Sequence, residues 1–246
     1  MITTDSRDAV TIVRLERNTL VPALFEGLTK ALTELANSTT LKPLVLTGSG
    51  TSFCLGADLN WLASCADPAQ GVTELVNLHN RAVLTIVEMP VPVIAAINGR
   101  TAGGGLSLAL AVDYALAADT ATFTAAYFRL GLTPDGGTAL LLRRAIGLAR
   151  TRELLLTNQR LSAADALAWG MLNEVVEPER LLDRALAFAA NLAHVPAETL
   201  RQTRRLLDGG VLRHQLERES EAIITAARGD FFKQALATFR ASHPSR

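Results

Sequence analysis

Apolar positions along this chain follow two periods, and they change over in a regular order. Residues 10–15 alternate between chain faces and predict a half-buried strand. Over 22–36, Leu24, Phe25, Leu28, Leu32 and Leu35 fall on one broad helical face. A short apolar run at 44–47 predicts a buried strand. Residues 72–87 predict a second long helix, with Leu75, Leu78, Val83 and Ile86 facing inward. Pro90 and Pro92 end that helix and lead into a strand at 93–97. A buried helix at 103–111 and short strands at 114–117 and 121–124 follow. Strands alternating with helices predict an α/β architecture.

Beyond Pro134-Asp135-Gly136-Gly137 the pattern is almost wholly helical. A short helix at 163–169 is preceded by Ser162 as a cap, and 171–176 is an extended piece. From 179 to 239 helices follow one another, broken at Pro196 and Gly209-Gly210. The pattern therefore predicts a core over residues 1–184 and a helical C-terminal region over 185–246. No low-complexity linker separates them. The tail is apolar enough to need a surface to pack on, including another subunit.

Composition narrows the function. About half of the 246 residues are hydrophobic, enough for a sizeable core. Lys and Arg number 24, and so do Asp and Glu, so no net charge draws the chain to nucleic acid or to an anionic membrane. The longest apolar stretch, 106–118, contains Asp113 and is too short to span a bilayer. Residues 1–8 lack the apolar centre of a signal peptide. Cys54 and Cys65 form neither a disulfide framework nor a metal-ligand spacing, and the histidines carry no metal-ligand pattern. A reducing, cytoplasmic setting is expected, with no metal and no separate cofactor.

The candidate chemistry sits in two glycine-bearing turns. Phe53-Cys54-Leu55-Gly56-Ala57-Asp58-Leu59 follows the 44–47 strand, and Asn98-Gly99-Arg100-Thr101-Ala102-Gly103-Gly104-Gly105 follows the 93–97 strand. Each precedes a helix and can expose a backbone N–H. Two such groups converging on one point make an oxyanion hole for a carbonyl that gains negative charge. A dinucleotide site is disfavoured, because neither glycine run completes the G-x-G-x-x-G pattern.

These two turns, together with Gly131-Leu132-Thr133-Pro134-Asp135-Gly136-Gly137-Thr138, the stretch 161–172 and Asn173-Glu174-Val175-Val176, resemble the crotonase, or enoyl-CoA hydratase/isomerase, superfamily. The likeness runs in order over nearly the whole chain. It implies a spiral of ββα units and a helical C-terminal region used in assembly of a homotrimer or hexamer. It also implies acyl-CoA thioester substrates, with CoA arriving as part of the substrate, and enolate-like intermediates. By position, the oxyanion donors are the N–H groups of Ala57 and Gly104.

The chain departs from the hydratases of that family, which use two glutamates on water. Those positions are Ser107 and Tyr127 here, and neither replaces a carboxylate as a base near neutral pH. Water addition is therefore disfavoured. Asp135 is the carboxylate left near the expected site, in a Pro-Asp-Gly-Gly run that is also ordinary turn chemistry. The isomerase-like branch is expected, with Asp135 as single acid/base in moving a double bond. The alternatives are dehalogenase- or hydrolase-like acyl-CoA chemistry, decarboxylation of a carrier-protein thioester, and binding without catalysis. Trp61, Leu106, Ser107, Tyr127, Leu130 and Leu132 are expected to shape the acyl pocket. Arg17, Leu55, Asp58 and Lys233 are expected near the CoA moiety, Asp58 serving equally well as a helix cap. His79, in a predicted helix, is expected at the surface or in packing, and only in principle as the water-activating partner that the dehalogenase alternative needs.

Overall fold

The computed structural model describes residues 1–208 and 210–242; Gly209 and residues 243–246 of the expected C-terminal region lie outside the described residues. Strands β1 (Ile2–Arg7) and β2 (Val10–Leu15) form an antiparallel hairpin with Ile2 opposite Leu15. Most β1 side chains are exposed, so only its ladder marks it as a strand. Helix α1 (Pro22–Ala36) opens with proline, whose missing N–H costs nothing in a first turn, and buries Leu24, Phe25, Leu28 and Leu32.

Three strand–strand–helix turns follow. The first is β3 (Leu44–Gly48), β4 (Ser52–Cys54), α2 (Leu59–Ser64) and α3 (Pro68–Val87). The second is β5 (Val93–Ile97), β6 (Arg100–Ala102) and α4 (Gly104–Leu110). The third is β7 (Tyr114–Ala118), β8 (Thr122–Thr124), a 3-10 turn (Phe128–Leu130) and α5 (Thr138–Thr157), whose helix is interrupted at Gly147. Then come β9 (Leu161–Ser162), α6 (Ala163–Trp169) and β10 (Glu174–Val176). Ser162 caps α6 by accepting from the Asp165 N–H at 3.1 Å.

Each turn sends its first strand to a six-stranded sheet, ordered β1-β2-β3-β5-β7-β10. The second strand goes to a four-stranded sheet, ordered β4-β6-β8-β9. The first strands pair in parallel with one another, and so do the second strands. The result is a spiral of ββα units. Its corners are tied by Asn98, whose Oδ1 accepts from the Gly48 N–H at 3.0 Å while Nδ2 donates to the Gly50 carbonyl at 2.9 Å.

The remaining helices do two different jobs. α7 (Leu181–Asn191) lays Leu181, Ala185 and Ala189 on the outer face of the large sheet, over Val45, Ile94 and Leu116. Residue 184, where the sequence pattern starts the C-terminal region, thus lies inside the helix that covers the core sheet. α8 (Ala197–Asp208), α9 (Val211–Ala227) and α10 (Asp230–Ser242) complete the chain. α9 runs along α3, where Asn80 Nδ2 donates to Ser220 Oγ at 2.8 Å. α10 folds back over α2 and the 3-10 turn. Among the described residues no helix is long and apolar enough to cross a membrane.

Candidate active site

α1, α2, α3, the start of α4, the 126–135 segment and the two last helices enclose a cavity of about 370 Å3. Its walls are mostly apolar, with Leu20, Phe25, Leu75, Leu130 and Leu132 among them. Tyr127, His79 and Asp135 supply the polar groups inside, and the exposed Arg129 stands on its lining. Asp135 is the one carboxylate among the described lining residues.

The two glycine turns meet at the wall. Leu20 donates its N–H to the Gly56 carbonyl at 2.8 Å, and its carbonyl accepts from the Asp58 N–H at 3.0 Å. That is the parallel-bridge pattern that flanks Ala57, so the N–H of Ala57 itself points away from Leu20. On the other side a side chain at Gly56 would come within 2.9 Å of the Ala102 carbonyl and 3.3 Å of the Gly104 nitrogen. Gly104 is the first residue of α4, and helical bonding leaves such an N–H without a partner. Ala57 and Gly104 both line the cavity, on adjoining turns.

Asp135 sits in the turn that opens α5 and is nearly buried. The Tyr127 hydroxyl donates to its Oδ1 at 2.8 Å and lies 3.1 Å from Thr138 Oγ1. His79 Nδ1 lies 3.3 Å from Oδ2, and His79 Nε2 lies 2.7 Å from Ser107 Oγ. Ser107 Oγ is also 2.8 Å from the Gly104 carbonyl. Burial, and then the neighbouring Asp135, push the Tyr127 phenol well above its ordinary range, so it stays a donor. From α9 the carboxylate of Glu219 accepts from the N–H groups of Gly137 at 2.7 Å and Ala139 at 3.2 Å, which pins the turn from behind. Burial raises the pKa of Glu219 despite these donors.

The expected site residues divide cleanly. Asp135, Ala57, Gly104, Tyr127, Leu130, Leu132 and Leu55 line the cavity. Leu106 does not: it is fully buried and faces Phe123 and Met171 on the far side of α4. Ser107 is likewise fully buried and reaches the cavity only through His79. Trp61 packs on Gly71 of α3 instead of lining the cavity. Asp58 is spent as the cap of α2, accepting from the Trp61 N–H at 3.0 Å, from Thr19 Oγ1 at 2.8 Å and from Arg17. Those donors outweigh its burial and hold its carboxyl below the usual range. Arg17 is engaged in the same pair, and Lys233 is exposed on α10 beside Asp230 at 3.5 Å, so neither faces the cavity.

His79 is the residue that sequence reasoning undervalued. It is not at the surface: it is almost wholly buried, and it packs against Asp135. The available signal was its place among Leu75, Val76, Val83 and Ile86 on the inward face of α3, where an ionisable group needs a partner. Glu219 and Phe239, which lines the cavity from α10, also escaped notice. Among the described residues no group of three or more His, Cys, Asp or Glu side chains is placed to hold a metal ion. Burial pushes the Cys54 thiol up to about 12, which leaves it an inert filler beneath α4.

Comparison with known proteins agrees with this geometry. A family model described as enoyl-CoA hydratase/isomerase matches residues 6–238. The 1,2-epoxyphenylacetyl-CoA isomerase of Escherichia coli K12 is 35% identical over 94% of this chain and 91% of its own. The 4-chlorobenzoyl coenzyme A dehalogenase-2 of an Arthrobacter species is 31% identical over 97% of this chain and 90% of its own. A solved enoyl-CoA hydratase from Bacillus halodurans superposes with a TM-score of 0.88 at 26% identity, covering 96% of this chain and 99% of that one.

Proposed function

The chain belongs to the enoyl-CoA hydratase/isomerase family, and from that premise we propose that it shifts a double bond within an acyl-CoA thioester. The observation that carries this reading is Asp135, the single carboxylate among the described residues lining an otherwise apolar cavity. The thioester oxygen sits between the N–H groups of Ala57 and Gly104. Asp135 takes a proton from a carbon conjugated to the thioester, and the electron pair moves onto that oxygen as a dienolate. Asp135, now protonated, returns the proton to another carbon of the system. An oxyanion donor of this kind typically contributes about 3 kcal/mol to the barrier. Leu130 and Leu132 pack the acyl group, and Leu55 lies toward the CoA moiety. Water addition is not proposed, because Ser107 and Tyr127 stand at the two hydratase glutamate positions.

The test is a panel of 2-enoyl, 3-enoyl and aryl CoA thioesters, followed by chromatography coupled to mass. The expected product has unchanged mass. Asp135→Asn should fold, bind thioester and lose about 10²–10⁴ in rate. Normal turnover by that variant, or a product heavier by one water, overturns the reading.

A second reading has one observation in its favour. An imidazole beside Asp135 suits a reaction in which the aspartate attacks an activated aryl carbon and water then cleaves the ester, and the Arthrobacter relative is named a dehalogenase. Halide release from a halogenated aryl thioester distinguishes it. The assembly proposed is a homotrimer or hexamer, supported by Leu206 and Leu207 of α8, 85% and 77% exposed in the single chain. Sedimentation showing a monomer would remove that part.

A further inference from the structure

The imidazole of His79 occupies a slot that the fold builds on every side. Phe25 of α1 stacks on one face, ring centres 5.1 Å apart and planes 28° from parallel. At Gly136 any side chain would stand 2.2 Å from His79 Cε1, and at Gly104 any side chain would stand 2.8 Å from the same atom. One ring nitrogen points at Asp135 and the other at Ser107, both buried. The ring therefore cannot turn without losing both partners.

The proton positions follow from what each partner can do. An ionised Asp135 only accepts, so Nδ1 must carry the hydrogen that meets Oδ2. A neutral ring then has a bare Nε2, which needs a donor. Ser107 supplies it, at 2.7 Å. Its hydroxyl has the Gly104 carbonyl as a second acceptor at 2.8 Å, which it uses only when Nε2 is itself protonated. With the Tyr127 hydroxyl on Oδ1, the carboxylate then receives one donor on each oxygen.

We propose that His79 is the positioning residue for Asp135, that Ser107 fixes its Nδ1–H tautomer, and that the serine at a hydratase glutamate position serves this purpose. The inference rests on the reading of Asp135 as acid/base. Held from both oxygens, the carboxylate keeps one fixed aim while it gains and returns the substrate proton. Ser107 never meets the substrate; it acts through the ring.

Two readouts test this. In the free protein, nitrogen NMR of the His79 ring should find Nδ1 protonated and Nε2 bare, and Ser107→Ala should shift the ring away from that tautomer. In turnover, two amide replacements separate positioning from packing. His79→Asn keeps a donor near the Nδ1 position, whereas His79→Gln fills the slot better but aims its amide toward Ser107. His79→Gln should lose about 10²-fold in kcat with KM within about threefold, the cost expected of a small misplacement. His79→Asn should recover at least about tenfold of that loss. Equal or better activity in His79→Gln, or a wild-type ring with bare Nδ1 or with both nitrogens protonated, overturns the proposal. If no thioester on the panel turns over, the isomerase reading fails by itself, and the tautomer still decides for or against His79.

Discussion

At the scale of single residues, Gly136 carries two requirements at once. Its φ is +60°, which disfavours any side chain, and the space a Cβ would take is filled by His79. Gly136→Ala should cost about 3 kcal/mol, from backbone strain of about 1–2 kcal/mol and the rest from displacing the ring. For a chain of this length that lowers Tm by about 6–12 °C. Activity should fall with it, because the imidazole leaves Asp135. A melting temperature within about a degree of wild type would show that the slot is not tight. Asp135 was legible only through the resemblance, which leaves it as the carboxylate near the expected site; taken alone, Pro-Asp-Gly-Gly reads as ordinary turn chemistry. His79 could be placed on the inward face of α3, but its pairing was not legible, because Ser107 and Asp135 lie 28 and 56 residues away and only the folded spiral brings them together.

Between elements, the critical joint is α9 against the start of α5. Glu219 accepts from the N–H groups of Gly137, the residue before α5, and of Ala139 in its first turn, and fixes the turn that holds Asp135. Its folded pKa is raised above the ordinary 4.5, with burial the first cause. A raised carboxyl holds its proton more tightly when folded. Its contribution is therefore full below about 4.5 and declines as pH rises through the folded value. Stability should fall from pH 4.5 toward neutrality on this account, and Glu219→Gln should remove that part of the slope. Melting curves of both proteins across that range check it, and parallel slopes would refute it. The longer elements were legible in the sequence: α1, β5 and α6 run over the residues that periodicity predicts, because each carries an unbroken apolar face. β4 and β6 were read only as turns, since three residues hold too few positions to alternate. β1 escaped because an exposed edge strand buries almost nothing.

For the whole molecule, the arrangement of α10 gives the C-terminal region a place at the cavity. The sequence pattern makes 185–246 a helical region that needs a surface to pack on, and the resemblance implies that the surface is another subunit. Within the single chain α7 already covers the large sheet, and α10 closes the cavity. Phe232 and Leu236 bury against the body of the protein, which places Phe239 on the cavity lining. The sequence showed a helical tail apolar enough to need a surface, but not which surface α10 would meet, because that surface is assembled from α2 and the 3-10 turn far back in the chain. Phe239 carries no group that can hold a proton or an oxyanion, so its contact with an acyl group is expected to be the same before and during proton transfer. Such uniform binding acts on KM and leaves kcat in place. Removing an aromatic ring from an apolar wall forfeits about 1.5–3 kcal/mol of burial. Phe239→Ala should therefore raise KM by about tenfold or more, with kcat within about threefold. The effect should be largest for acyl groups long enough to reach α10. Steady-state kinetics over a chain-length series measures this. A loss confined to kcat would instead make α10 part of the proton-transfer machinery, and an unchanged KM at every length would mean that the acyl group never reaches it.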